Sequence, residues 1–198
     1  AKDGNYNTTP VWSFKCDTTK PQKPVAISPG DTTGTKWISS ARPLLRWKGG
    51  ADSLDDPPTV HGIGTKEVIV QVATDAAFTG LVVNKTLPYT GAFIDRYQMT
   101  AGDPALAEST YYYWHVRVKD KFDQLSDWSD TAWFRVDLTA PTAAGLKAPG
   151  NASPYDTGDD AYWINTRTPT FEWELPDDPL SAGAASGMAS IEIQISTS

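Results

Sequence analysis

The chain has 198 residues, 39% of them hydrophobic and 21% charged, with 15 Gly and 15 Pro, a composition that builds a core rather than a disordered tail. Seventeen Lys plus Arg against 24 Asp plus Glu leave a net charge of −7, and the acidic residues are scattered, so no basic face is offered to nucleic acid or an anionic membrane. Cys16 is a lone cysteine without an internal disulfide partner, His61 and His115 are too few for most metal or acid–base sites, and no apolar run approaches the ~18 residues that membrane insertion requires.

Along the chain the first signal is an internal repeat. Phe14-Lys15-Cys16-Asp17-Thr18-Thr19-Lys20-Pro21 aligns with Phe134-Arg135-Val136-Asp137-Leu138-Thr139-Ala140-Pro141. Pro29-Gly30 then matches Pro149-Gly150, Trp37-Ile38 matches Trp163-Ile164, and Pro43-x-Leu45-x-Trp47 matches Pro169-x-Phe171-x-Trp173. Val68 to Thr74 matches Ile191 to Thr197, so the order is kept while loop lengths drift. The phase divides the chain into residues 1–17, the last strand of a preceding module, 18–137, a complete module, and 138–198, the first half of a following one. A start at Ala1 with no charged-then-apolar leader reads as a mature product or a trimmed piece, and the half-module favours the latter.

Within the complete module the apolar residues alternate with period two: Leu45 and Trp47, then Val68, Val70 and Val72, then Tyr112, Trp114, Val116 and Val118, then Phe134 and Val136. Such alternation predicts half-buried strands. Ser28-Pro29-Gly30, Lys48-Gly49-Gly50 and Asp55 to Pro58 punctuate them, and the only helical stretch is the short Pro104 to Glu108. The expectation is an all-β chain of tandem antiparallel β-sandwich modules, one complete and two partial, with Trp47, Val70, Tyr112, Trp114 and Phe134 in the core. Cys16, aligned with Val136, is expected to be a small buried hydrophobe, and Trp12 shares its inward parity.

Four segments, Pro43-x-Leu45-x-Trp47, Val70-Gln71-Val72-Ala73-Thr74-Asp75-x-x-Phe78, Thr110-x-Tyr112-x-Trp114-x-Val116-Arg117-Val118 and Leu125-Ser126-Asp127-Trp128-Ser129, resemble successive strands of bacterial fibronectin type III or immunoglobulin-like tandem repeats of large cell-surface proteins. The resemblance implies the sandwich fold and an extracellular, cell-surface or secreted location, and it specifies function weakly. Its ~120-residue period exceeds the ~100 residues usual for such sandwiches, which leaves inserts around Gly49 to Lys66 and Leu87 to Ala107.

Candidate sites follow from what the core does not use. Trp133 aligns with Ser13, so the fold does not demand an aromatic there. Strand pairing of the family type would set Trp133 and Arg135 beside Tyr113, His115 and Arg117, a binding face for a glycan or, through Trp and Arg anchors, for a neighbouring module or an identical subunit. No cofactor is required, but calcium is the cation the acidic residues suit: Asp17 and Asp137 lie at the module joints, and Asp55 and Asp56 in a Pro-flanked loop matched by Asp177-Asp178. Asn7, Asn84 and Asn151 begin N-glycosylation acceptor triplets. No nucleophile elbow, zinc-binding helix or phosphate loop is present, so no enzyme is expected. The leading expectation is a structural spacer repeat of a long extracellular protein, contributing to assembly or adhesion; the alternative is a carbohydrate- or protein-binding accessory module of a secreted enzyme or adhesin.

Overall fold

The computed structural model describes residues 11–14, 16–30, 36–52, 63–90, 94–147, 152–156, 162–164, 166–179 and 186–195. All regular structure among them is β. In chain order the strands are β1 (Val25–Ser28), β2 (Trp37–Ile38), β3 (Leu44–Lys48), β4 (Thr65–Ala73), β5 (Leu81–Pro88), β6 (Arg96–Gln98), β7 (Tyr111–Asp120), β8 (Ala132–Val136), β9 (Gly145–Leu146), β10 (Ala152–Asp156), β11 (Tyr162–Ile164) and β12 (Trp173–Glu174). The first eight form two sheets, β1-β3-β6 and β2-β8-β7-β4-β5. Every pairing in them is antiparallel except β2 with β8, where Trp37 lies beside Arg135 and Ile38 beside Val136. This is an all-β sandwich, as the alternation requires.

The inward residues of the two sheets meet in one cluster that includes Leu45, Trp47, Val68, Val70, Val72, Tyr112, Trp114, Val116, Val118, Phe134 and Val136. Period-two alternation puts the apolar residues of each strand on one face, and burying that face is the main favourable term. The two central indoles also satisfy their N–H groups: Trp47 Nε1 donates to the Ile94 carbonyl at 2.8 Å and Trp114 Nε1 to the Pro29 carbonyl at 2.8 Å. The second insert closes the smaller sheet. Here β6 pairs with β3, Leu106 is buried in the core, and the buried Asp103 accepts from Tyr97 Oη (2.6 Å), Thr100 N (2.8 Å) and Lys85 Nζ (2.8 Å). Burial alone would raise the Asp103 pKa; these donors outweigh it and hold the carboxyl below the usual range.

The expectation for Cys16 and Trp12 is corrected, and two segments of the second copy depart from the first. Cys16 is exposed rather than an inward strand residue, and Trp12 is 88% exposed, because residues 11–14 and 16–20 pair with no strand. Residues 186–195, the counterpart of β4, form no strand, and Ile193 and Ile195 are exposed. Trp173 is only half-buried and Phe171 exposed, since β12 has just the two-residue β9 as its partner. An apolar stripe becomes a core strand only where a second sheet covers it.

Candidate functional site

The five binding candidates, Tyr113, His115, Arg117, Trp133 and Arg135, lie on one outward face of the larger sheet, and neighbouring rings divide them into two groups. At one end Tyr113 is register partner to Trp133 and Tyr111 to Arg135. The Trp133 ring packs tilted on Tyr111, centroids 5.8 Å apart, while the Arg135 guanidinium lies 4.8 Å from the ring centroids of both Trp37 and Tyr111. Arg135 Nε also donates to the Ser109 carbonyl at 3.1 Å.

At the other end the stack is tighter. The His115 imidazole is sandwiched between Phe78, at 3.5 Å and 5° between planes, and Trp128, at 3.7 Å and 11°. The Arg117 guanidinium sits 4.2 Å from the Trp128 centroid, a cation–π geometry. Trp128 is not on a strand. It is carried by residues 125–130, which run beside β7 and use two serines as clamps: the Val118 and Val116 amides donate to Ser126 Oγ (3.0 Å) and Ser129 Oγ (3.2 Å), and the Ser126 and Ser129 amides donate back to the Val118 and Val116 carbonyls. The three-residue spacing of the serines lays the intervening indole across the rings of β7. The motif Leu125-Ser126-Asp127-Trp128-Ser129 is visible in the sequence. What parity reasoning missed is that Trp128, rather than Trp133, covers His115 and Arg117.

Electrostatics mark this end as interior. His115 is 8% exposed, and its Nε2 donates to Gln71 Oε1 at 2.9 Å while Gln71 Nε2 donates to Asn84 Oδ1. Burial, helped by the adjacent Arg117 charge, pushes its pKa down to about 4. Burial also lowers the Arg117 pKa, and its buried Nε has no hydrogen-bond partner. The pH consequence has a definite sign. An unfolded histidine takes up its proton near 6.5 and this folded one near 4, so between those values the unfolded chain binds the extra proton. Stability is therefore full above pH ~6.5 and falls on acidification towards pH ~4. Urea midpoints across that range should slope in the native chain and flatten in His115→Phe, which keeps the ring stack and cannot titrate. A flat native profile would contradict the buried neutral imidazole.

The acidic candidates separate. Asp17 comes together with Asp52 and Asp120, ligand atoms all within 4.8 Å of one another. Asp137 instead accepts from Ser186 N (2.8 Å) and Thr139 N (3.2 Å). Asp55 and Asp56 lie outside the described residues, as do Asn7 and Asn151, whereas Asn84 is exposed on β5. A cavity between the two copies, of about 590 Å³, is lined by residues such as Ser39, Leu138, Pro141, Gly187 and Ile191. No helix among the described residues is long and apolar enough to cross a membrane.

A family model described as the Rha78A-like, N-terminal immunoglobulin domain matches residues 37–140, more than half of the chain. Among solved structures, the chain is similar to an α-L-rhamnosidase from Dictyoglumus thermophilum at 14% identity and a TM-score of 0.42, over 65% of this chain and 15% of that one. It is also similar to the Streptomyces avermitilis α-L-rhamnosidase complexed with L-rhamnose, at 22% identity and a TM-score of 0.43, over 68% of this chain and 12% of that one. The chain thus spans less than a sixth of either rhamnosidase. No curated protein matches it.

Proposed function

The chain belongs to the Rha78A-like N-terminal immunoglobulin domain family, and from that membership we propose that it serves as an accessory domain of a secreted glycosidase acting on α-L-rhamnosides. The matched family is an immunoglobulin domain rather than a catalytic one, and the chain is not itself an enzyme. Its contribution is structural: a rigid sandwich presents the Trp133–Tyr111–Arg135 face to another domain of the same polypeptide. The observation that carries this reading is the family match across β2 to β8. At the His115–Trp128 end the packing speaks against a sugar platform, because sugar stacking needs open ring faces, and both faces of His115 and one of Trp128 are already covered.

A second reading, a spacer repeat of a long extracellular surface protein that assembles through neighbouring modules or identical subunits, is favoured by one observation, the recurrence of the module joint 120 residues on.

Trp133 tests the face. Binding of L-rhamnosides and a glycan array to the chain should be absent, and Trp133→Ala should leave both that result and the melting temperature of the isolated chain nearly unchanged. A lost stacking platform would be worth ~1–3 kcal/mol, so a five- to hundredfold, Trp133-dependent glycan affinity would overturn the contact role.

A further inference from the structure

The three carboxylates Asp17, Asp52 and Asp120 come from places far apart in sequence: the segment before β1, the turn after β3, and the end of β7. Asp52 and Asp120 are buried, at 1% and 0% exposure. Asp17 accepts from Thr19 N (3.0 Å) and Thr19 Oγ1 (2.7 Å) with Oδ1, and from Ile63 N (2.8 Å) with Oδ2. Asp52 Oδ2 accepts from Gly64 N at 2.6 Å. Asp120 Oδ1 accepts from Phe122 N and Gln124 N, both at 2.8 Å. Its other oxygen, Oδ2, is buried and has no hydrogen-bond partner, and the fold brings one carboxylate oxygen of each of the three residues within 4.8 Å of the others. A buried carboxylate oxygen without a donor is costly, and two further carboxylates beside it make it more so. Only a positive charge, or a proton, repays that arrangement.

The same construction recurs. Asp137 accepts from Thr139 N with Oδ1 and from Ser186 N with Oδ2, as Asp17 does from Thr19 and Ile63. Asp178 Oδ2 accepts from Gly187 N at 2.6 Å, as Asp52 does from Gly64, and both glycines have positive φ, 81° and 93°. Asp178 Oδ1 is again a buried oxygen without a partner. Two copies that share little sequence in these loops thus arrive at similar amide-fixed carboxylates, and each copy buries one carboxylate oxygen without a partner, Asp120 Oδ2 in the first and Asp178 Oδ1 in the second.

We propose that Asp17, Asp52 and Asp120 form a divalent-cation site for calcium that pins the segment before β1 onto the sandwich, and that Asp137 and Asp178 begin an equivalent site at the next joint. The donor set is all oxygen, which selects a hard cation over zinc or copper, and three protein carboxylates in one cluster suit calcium better than magnesium, which is usually held by one or two carboxylates and its own waters. The amides bound by Asp17, Asp52 and Asp120 limit the repulsion in the absence of metal, and they leave Asp120 Oδ2 as the buried oxygen open to a cation. The cation ties together residue 17, the turn at 52 and the end of β7, so calcium sets the stiffness of the module joint.

The test is calorimetric calcium titration and thermal unfolding of the full 198-residue chain, with calcium, with magnesium and with chelator. Calcium is expected to bind and to raise the melting temperature by several degrees, with a much smaller response to magnesium. Asp120→Asn keeps the Oδ1 acceptor for the Phe122 and Gln124 amides while removing the charge; it should weaken calcium binding at the first joint by about tenfold or more and, in chelator, unfold no earlier than the native chain. Asp127→Asn, which removes only an exposed ion pair with Lys20, should leave the calcium response intact. The proposal is overturned if calcium has no effect on the native chain or if Asp120→Asn retains the full response.

Discussion

Replacing Trp114 by Ala should cost ~3–5 kcal/mol, a large part of the ~5–15 kcal/mol that typically holds a domain together. Trp114 is completely buried on β7, the middle strand of the five-stranded sheet, which pairs with β4 and β8. Its loss opens a cavity that flanking valines on a regular sheet cannot collapse to fill, and leaves the Pro29 carbonyl without its indole donor. Urea unfolding should show a midpoint lowered in proportion with the m-value unchanged. Trp114→Phe separates the two contributions: it retains most of the volume, and the remaining loss of ~1–3 kcal/mol belongs to the unpaired carbonyl. A fully stable Trp114→Ala chain would mean that the core lies elsewhere.

The second large effect is expected at Gly30. Its φ is +79°, and a Cβ built there would sit 2.1 Å from the Trp133 carbonyl oxygen, deep inside van der Waals contact with backbone. Gly30→Ala should lose ~1–3 kcal/mol from the left-handed conformation alone, and moving the loop away from β8 adds to it, because the adjacent Pro29 carbonyl is the Trp114 acceptor. Gly102→Ala is the matched control. Its nearest neighbour would be Thr100 Oγ1 at 3.6 Å, and the change should stay within ~0.5 kcal/mol. Equal melting temperatures for the two variants would contradict the close approach of this loop to β8.

The same residues explain how far the sequence could be read. Period-two alternation places Trp47, Val70, Tyr112, Trp114 and Phe134 in the core because each lies on a strand with a second sheet above it, and burial follows parity there. The parity argument fails at Cys16, Trp12 and residues 186–195, where the stripe is present but no sheet covers it. It fails differently at Trp128, which reaches His115 from a segment held by serine clamps rather than by a strand ladder. The face of Tyr113, His115, Arg117, Trp133 and Arg135 was legible as a face, since outward parity needs only the strand register. Its partition into a covered stack and a half-covered end was not, because Phe78 and Trp128 arrive from turns. The acidic cluster shows the same limit. Asp17 stands out at a repeated joint, whereas Asp52 and Asp120 are ordinary turn residues until the fold carries them, from 35 and 103 positions further along, to its side.

Hydrolysis of an aryl α-L-rhamnoside tests the proposal that this immunoglobulin domain supports a rhamnoside-cleaving enzyme without taking part in its chemistry. The assay compares the isolated 198-residue chain with the complete natural polypeptide that contains it. No turnover is expected from the isolated chain, and turnover from the complete polypeptide. Turnover by the chain alone, or a complete polypeptide of further sandwich repeats with no rhamnosidase activity, would contradict it.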